Sequence, residues 1–139
     1  MRSASVEDYA KAIYALEERN GVASTTALAE RLEVSAPAVS SMAKKLAADG
    51  LVEHVPYRGT RLTVSGRRFA LEVVRHHRLL ETYLHDELGV PLDRIHAEAD
   101  ALEHVLSEEL EERIAAKLGH PTHDPHGEPI PRLDGQAAA

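Results

Sequence analysis

Cysteine and tryptophan are both absent from this chain of 139 residues, and phenylalanine occurs once. Without cysteine the chain can form no disulfide, no thiolate zinc site and no thiol nucleophile. Aromatic residues make up only 4%, so the core has to be built from Leu, Val, Ile and Ala, a composition that favours helices. No apolar run approaches the roughly 20 residues that a membrane-spanning helix needs. The charged, amphipathic N-terminus is not a signal peptide, so we expect a cytoplasmic protein with no membrane partner.

Charge and histidine are distributed unevenly along the chain. The net charge of −7 by itself argues against a nucleic-acid partner. Residues 1–72, however, contain 10 Lys and Arg against 9 Asp and Glu, whereas residues 73–139 contain 6 against 14 and eight of the nine histidines. The second part therefore concentrates carboxylates and imidazoles, the usual ligands of divalent metals. Until ligand spacing is considered, a solvated acidic surface is the plainer interpretation.

Hydrophobic spacing predicts a mainly α-helical chain with one small hairpin. Ser35 is placed to cap a helix that tolerates Pro37 in its first turn. The stretch Pro56-Tyr57-Arg58-Gly59 predicts the turn of the hairpin. The predicted helices cover residues 5–19 (capped by Ser5), 25–32, 36–48, 64–88 and 93–118, and the predicted strands cover residues 51–55 and 60–63.

Two short helices joined by a three-residue turn and followed by a hairpin are typical of a winged helix-turn-helix. The second short helix presents small side chains, which let a helix sit deep in the major groove. It has no Arg that could read guanine bidentately, so we expect base reading to be apolar and shape-based. The alternative is a three-helix packing unit with a solvated basic face. The residues predicted to face outward are Pro37, Ala38, Ser40, Ser41, Lys44 and Lys45, and those predicted to contact phosphates are Lys44, Lys45, Arg58 and Arg61.

The last predicted long helix carries a stripe of potential metal ligands. Residues three or four positions apart share a helical face. His77 and Glu81 share a face of the preceding helix in the same way. One such His–Glu pair is more often simple helix pairing, so the prediction of a metal site depends on six potential ligand residues occurring on two packed helices. The stripe consists of His96, Asp100, Glu103 and His104.

The segment after Gly119 is rich in Pro, Gly and His, which predicts irregular structure. Asp124 and His126 flank Pro125 in a turn that can direct both side chains at one ion. A plain solvated loop explains this segment equally well.

Taken together, the motifs described above resemble those of the diphtheria toxin repressor family of metal-dependent bacterial repressors, and most closely those of its manganese transport regulator branch. The resemblance covers nearly the whole chain. Its most specific element is the Glu103-His104 step, placed after Asp100 and His96. The stretches that carry it are VEDYAKAIYALEE, TTALAERLEVSAPAVSSMAKKLAADGLV, YRGTRLTVSGR, HHRLLETYL, IHAEADALEHVLSEELEERI and HPTHDPHGEPIP.

The resemblance implies a winged helix-turn-helix DNA-binding domain over residues 1–72. An all-helical dimerisation and metal-binding domain with an irregular tail follows over residues 73–139. It also implies a homodimer and leads us to expect no third, barrel-like domain after Ala139. The DNA contacts that it implies are Ser35, Pro37, Ala38, Ser40 and Ser41, with a phosphate contact at Arg58.

The resemblance further implies a primary metal site, an ancillary site and a ligand pair in the tail. Whether the ancillary and tail residues form one extra site or two stays open. The implied ligands are Asp8, Asp100, Glu103 and His104 for the primary site, His77, Glu81 and His96 for the ancillary site, and Asp124 and His126 for the tail, where Asp124 replaces a Cys.

We therefore expect a repressor, not an enzyme, that binds a palindromic double-stranded DNA operator as a homodimer when a divalent metal is bound. The primary set has three oxygens, one nitrogen and no sulfur, which favours Mn(II). Iron-responsive relatives place Met and Cys at the positions of Asp8 and Asp100. We expect two or more Mn(II) ions per subunit, with Fe(II), Co(II) or Zn(II) able to substitute in vitro, and manganese uptake genes as targets.

Three alternatives remain. An Fe(II)-responsive repressor of the same family would share every motif described above. A metal-independent regulator that senses an organic ligand would need an apolar cavity, where the long helices have a polar stripe. A metal hydrolase would need an open coordination position and a substrate cleft, and the sequence contains neither a nucleophile motif nor a phosphate-binding loop.

Overall fold

The computed structural model describes residues 3–132. The chain is mainly helical with one two-stranded antiparallel sheet, which confirms the predicted fold class. No helix among residues 3–132 is long and apolar enough to cross a membrane. The elements are α1 (Ala4–Asn20), α2 (Thr25–Leu32), α3 (Ala36–Ala48), β1 (Val52–Val55), β2 (Gly59–Leu62), α4 (Val64–Asp86), α5 (Leu92–Leu102) and α6 (Glu108–Lys117).

The chain forms two compact units, one up to Ala70 and one from Leu71. The division falls within α4, close to the domain boundary predicted between residues 72 and 73, which remains a prediction. Each unit has its own apolar core. The first core is built mainly from α1, α2, α3 and the hairpin, and the second from the later part of α4, α5, α6 and the tail around Ile130.

Serine side chains cap the first three helices of the chain. Ser24 accepts a hydrogen bond from the backbone N–H of Ala27, and Ser35 accepts one from Ala38, so the predicted cap of α3 is present. The cap predicted at Ser5 is wrong. Ser3 caps α1 by accepting a hydrogen bond from the Val6 N–H. The helix therefore begins at Ala4, and Ser5 lies inside its first turn, whereas a cap has to precede that turn.

The hairpin pairs Val52 with Leu62 and Glu53 with Arg61. A further antiparallel bridge joins Thr60 of β2 to Ala23, which lies two residues before the start of α2. The wing is therefore attached to the helix-turn-helix by backbone hydrogen bonds as well as by the chain.

The single long helix predicted over residues 93–118 is wrong. Two helices, α5 and α6, stand there with a turn between them. Ser107 caps α6 by accepting from the Leu110 N–H at 3.1 Å, and the acidic residues of the first turn, among them Glu108 and Glu109, favour a new N-terminus at this point. The apolar periodicity runs across the break, so periodicity alone missed it.

Candidate metal centre and nucleic-acid interface

The His77 imidazole lies at the centre of the second unit's polar cluster. Its Nδ1 is 2.6 Å from Glu103 Oε1 and 3.3 Å from Asp100 Oδ1. Its Nε2 is 3.2 Å from His96 Nδ1 and 3.4 Å from Glu81 Oε1. One buried ring from α4 therefore contacts four residues that the sequence analysis had named as potential ligands.

The ligand-type side chains of the second unit form two groups. His77, His96 and Asp100 each offer one ligand atom, and these atoms lie within 4.8 Å of one another. Glu81, Asp124 and His126 do the same. The structure thus brings the five ancillary and tail residues together in two adjoining groups, with Glu81 Oε2 3.7 Å from His96 Nδ1; that they bind ions stays a prediction.

The tail turn is shaped by Asp124 itself. Its Oδ1 accepts hydrogen bonds from the backbone N–H groups of His126 and Glu128, both at 2.9 Å, so neither of these bonds uses Oδ2. His126 Nδ1 lies 3.8 Å from Glu81 Oε2. The turn predicted from the Asp-Pro-His-Gly spacing therefore directs both side chains toward α4.

The four residues of the predicted primary set come from both units. Glu103 is the C-cap of α5, and its helical torsion angles continue the predicted stripe, whereas His104 lies in the turn that follows. Asp100 is half-buried near the end of α5, and Asp8 is half-buried on α1 of the first unit. Their role as one site stays a prediction.

Burial and charge act in opposite directions on Glu81. Burial raises the pKa of this carboxyl group, but the hydrogen bond from His77 and the positive charges of His77, His126 and His96 outweigh burial and bring the pKa below its ordinary value. The pKa of Asp124, in contrast, is raised. Burial is the main cause and the nearby charge of Glu81 adds to it, and together they outweigh the backbone hydrogen bonds that lower this pKa. A carboxylate pair in this environment fits a divalent cation, which would relieve both the burial of charge and the mutual repulsion.

Two arginines of α4 hold the tail in place, and neither was predicted from the sequence. Arg75 donates to the Pro131 carbonyl at 2.7 Å and to Glu111 Oε1 at 3.1 Å, and Arg78 donates to the Pro129 carbonyl. Their spacing of three on the helix that carries His77 and Glu81 was the available signal. These bonds position the tail segment of Pro129 and Pro131 next to the turn that presents Asp124 and His126.

Glu111 is a buried carboxylate that anchors Arg75 and His76. Burial raises the pKa of Glu111, but the hydrogen bonds from His76 and Arg75 and their positive charges bring it below the ordinary value of 4.5. Because the folded-state pKa is depressed, the stabilisation is fully present above that ordinary value and is lost as the pH falls through the folded-state pKa.

We therefore expect Glu111→Gln to lower the free energy of unfolding at neutral pH by about 3 kcal/mol, since it leaves the largely buried Arg75 guanidinium beside a neutral group. The deficit should shrink as the pH falls below the ordinary pKa, because wild-type Glu111 then becomes protonated too. Urea unfolding across this pH range measures the effect, with Glu112→Gln, an exposed neighbour on α6, as the control. A deficit that does not change with pH would contradict the assignment of Glu111 as an ionised anchor.

The surface of α3 agrees with the expected inward and outward faces. Val39 and Leu46 are buried, and Met42 is partly buried against the same core. The Ser35 hydroxyl already accepts a hydrogen bond as the cap of α3, yet its own proton remains available to donate. The predicted outward residues Pro37, Ala38, Ser40, Ser41, Lys44 and Lys45 are all exposed.

On the hairpin, Arg58 is exposed at the turn, but Arg61 is already engaged. The Arg61 guanidinium donates twice to Glu53 Oε1, at 3.1 and 2.8 Å. The phosphate contact expected of Arg61 therefore competes with a cross-strand ion pair that was not predicted from the sequence and that follows from the register Glu53↔Arg61.

Comparison with known proteins matches two family models to consecutive parts of the chain. Residues 1–60 match the N-terminal DNA-binding domain of iron-dependent repressors, and residues 63–132 match their metal-binding and dimerisation domain. Neither model describes an enzyme.

Individual relatives give the same pattern. The iron-dependent repressor IdeR of Mycobacterium leprae is 43% identical over 129 residues, which cover 93% of this chain and 56% of that protein. The diphtheria toxin repressor of Corynebacterium efficiens is 42% identical with the same coverages. A solved structure described as a manganese-dependent transcriptional repressor in complex with manganese matches with a TM-score of 0.90 and 50% identity, covering 96% of this chain and 62% of that one. The chain therefore spans little more than half the length of these curated relatives.

Proposed function

The chain belongs to the diphtheria toxin repressor family of metal-dependent transcriptional repressors, and we propose that it is a Mn(II)-activated member. In this proposal it acts in the cytoplasm as a homodimer on a palindromic operator and represses genes of manganese uptake. The observation that carries the choice of metal is a primary ligand set without sulfur, composed of Asp8, Asp100, Glu103 and His104.

Oxygen-rich sites suit hard ions such as Mn(II), whereas thiolate and thioether ligands favour softer ones. Simple affinity would not produce the preference, because later first-row ions bind most such sites more tightly than Mn(II) does. The preference would come from coordination number, since Zn(II) favours four ligands and recruits fewer groups. The relatives named for iron and the solved structure described as manganese-dependent are similarly close in sequence, so overall similarity does not favour either metal.

The distribution of the ligands along the chain supports a mechanism by linkage. Asp8 belongs to the unit that carries α3 and the wing, and Asp100, Glu103 and His104 belong to the other unit. When these four side chains hold one ion, the orientations open to the DNA-binding unit are restricted to those that suit the operator. A coupling of about 1–3 kcal/mol, typical of allostery, changes DNA affinity about 5–150-fold.

The apolar surface of the second unit supports a homodimer. Five of the eight large hydrophobic residues that are exposed among the described residues lie there. In a dimer their burial would be favourable, and two copies of α3 would reach successive major grooves of a palindrome. These residues are Leu88, Leu92, Leu102, Val105 and Leu110.

The choice of metal is tested by exchanging two ligands. We expect the wild type to reach full DNA binding with Mn(II) and a lower plateau with Fe(II), and Asp8→Met with Asp100→Cys to shift activation toward Fe(II). The measurement is fluorescence anisotropy at saturating, buffered metal under anaerobic conditions. The probe is a duplex selected from a random pool by the Mn(II)-loaded wild type.

The matched control introduces the same side chains outside the primary set, as Ser5→Met with Asp93→Cys, both at exposed positions of α1 and α5. It should keep the wild-type preference. Equal plateaus with Fe(II) and Mn(II) in the wild type, unchanged in the double variant, would show that ligand hardness does not select the metal. A higher plateau with Fe(II) than with Mn(II) in the wild type would favour the iron-responsive alternative.

A further inference from the structure

The turn of the wing has an unusual backbone at Tyr57. The Arg58 N–H donates to the Val55 carbonyl at 3.0 Å, which closes a four-residue turn with Pro56 second and Tyr57 third. Tyr57 has φ 65°. A positive φ at the third position of such a turn is usually supplied by Gly or Asn, because a side chain is strained there.

The Tyr57 ring is also completely exposed, with a relative exposure of 106%. The other three tyrosines of the chain are buried or half-buried. Neither the strain nor the exposed aromatic surface contributes to folding. A residue that is unfavourable in both respects points to a contact outside the folded unit.

The hairpin behind Tyr57 is firmly held. Ala23 and Thr60 exchange backbone hydrogen bonds, both 2.9 Å long. Gly59 makes this approach possible, because a Cβ at this position would lie 2.2 Å from the Ala23 carbonyl oxygen. The Tyr57 ring therefore projects from a hairpin that backbone hydrogen bonds hold in place, and a rigid aromatic side chain loses little conformational entropy when it binds.

The charge around the ring indicates the kind of partner. Arg58 is the next residue, is exposed and lies on the same turn. Arg61, in contrast, is engaged by Glu53. An aromatic side chain beside a cation fits a polyanion that also has an apolar wall, which describes the deoxyribose-lined minor groove of duplex DNA.

We propose that Tyr57 is a DNA-contacting residue that packs its ring against the deoxyribose wall of the minor groove, while Arg58 contacts the adjacent phosphate. The inference rests on the proposed DNA-binding function and adds a residue that reads groove shape. Such reading would complement α3, whose exposed small side chains contain no Arg for bidentate recognition of guanine.

The test uses the whole chain with saturating Mn(II) and the selected duplex. Tyr57→Gly should leave the melting temperature unchanged or raise it, because Gly relieves the positive φ. It should nevertheless weaken DNA binding about tenfold or more, the scale of one lost aromatic contact with nucleic acid. Tyr57→Phe should keep most of the affinity, and Val64→Ala, which trims an exposed apolar side chain away from the turn, should change nothing.

Salt dependence and footprinting separate the two residues. Arg58→Ala should reduce the slope of log affinity against log salt by about one, whereas Tyr57→Gly should leave the slope unchanged. Hydroxyl-radical footprinting should show minor-groove sugars protected by the wild type and released in Tyr57→Gly.

The possible failures can be told apart. If no duplex is enriched by the metal-loaded wild type, the proposed function itself fails. If the wild type binds DNA and Tyr57→Gly binds equally well with the same footprint, the inference is overturned while the proposed function stands. A Tyr57→Gly variant that loses DNA binding together with several degrees of melting temperature would assign the ring a structural role and would also overturn it.

Discussion

Replacing Glu103 with Gln should lower metal-activated DNA binding by about 100-fold or more, while the protein stays folded. Groups that only support a metal ligand typically contribute about 10–100-fold to metal affinity, and a direct ligand contributes at least as much. Glu103 is fully buried, and its Oε1 lies 2.6 Å from His77 Nδ1. Gln keeps the shape and can still accept a hydrogen bond from His77, so the change removes the charge and leaves the packing intact.

Fluorescence anisotropy with the selected duplex gives the DNA affinity, calorimetry gives the metal affinity, and thermal unfolding without metal checks the fold. Glu98→Gln is the matched control, because it makes the same change at an exposed position of α5. Wild-type activation by Mn(II) in the Glu103→Gln protein would remove Glu103 from the metal site and leave it as the hydrogen-bond partner of His77.

Gly66→Ala should destabilise the first unit by at least about 3 kcal/mol, the upper part of the usual range for overpacking. The effect opposes helix propensity, since Gly→Ala inside a helix ordinarily stabilises by about 1 kcal/mol. A Cβ at Gly66 would lie 1.8 Å from the Leu51 carbonyl oxygen. That carbonyl accepts the Thr63 N–H at 3.0 Å, so it cannot move away without breaking the junction between the wing and α4.

For a unit of this size, a loss of 3 kcal/mol corresponds to a fall of about 12–24 °C in melting temperature. Calorimetry of Gly66→Ala beside Ser65→Ala, the exposed neighbour in the same helical turn, provides the comparison. A Gly66→Ala protein as stable as the Ser65→Ala protein would mean that the close approach of α4 to Leu51 is not a feature of the folded chain.

Most elements that the sequence predicted are local. Ser35 and its helix, the turn at Pro56-Tyr57-Arg58-Gly59 and the hairpin were predicted because caps, turns and alternating strands depend on residues a few positions apart. The same reasoning failed at Ser107, where apolar periodicity continued through a capped break. Periodicity reports which face is buried, and two helices that bury the same face in succession can look like one.

The types of side chain in the candidate site were also visible in the sequence. Imidazoles and carboxylates at spacings of three and four define a face without further information, and the family resemblance added Asp8. The sequence did not determine how the ancillary and tail residues are grouped, because Glu81 meets His126 across 45 positions and through a turn that Asp124 builds with its own oxygen.

Long-range contacts came from the tertiary structure alone. The 2.6 Å contact of His77 with Glu103, the clamp of Arg75 and Arg78 on the tail carbonyls and the approach of Gly66 to Leu51 each join residues that no local pattern connects. The residue types, helix faces and family were therefore determined by the sequence. The partners of each buried charge were decided by packing. Buried polar groups are stable only when they are hydrogen-bonded, and the tertiary structure determines which hydrogen-bond partner lies within reach.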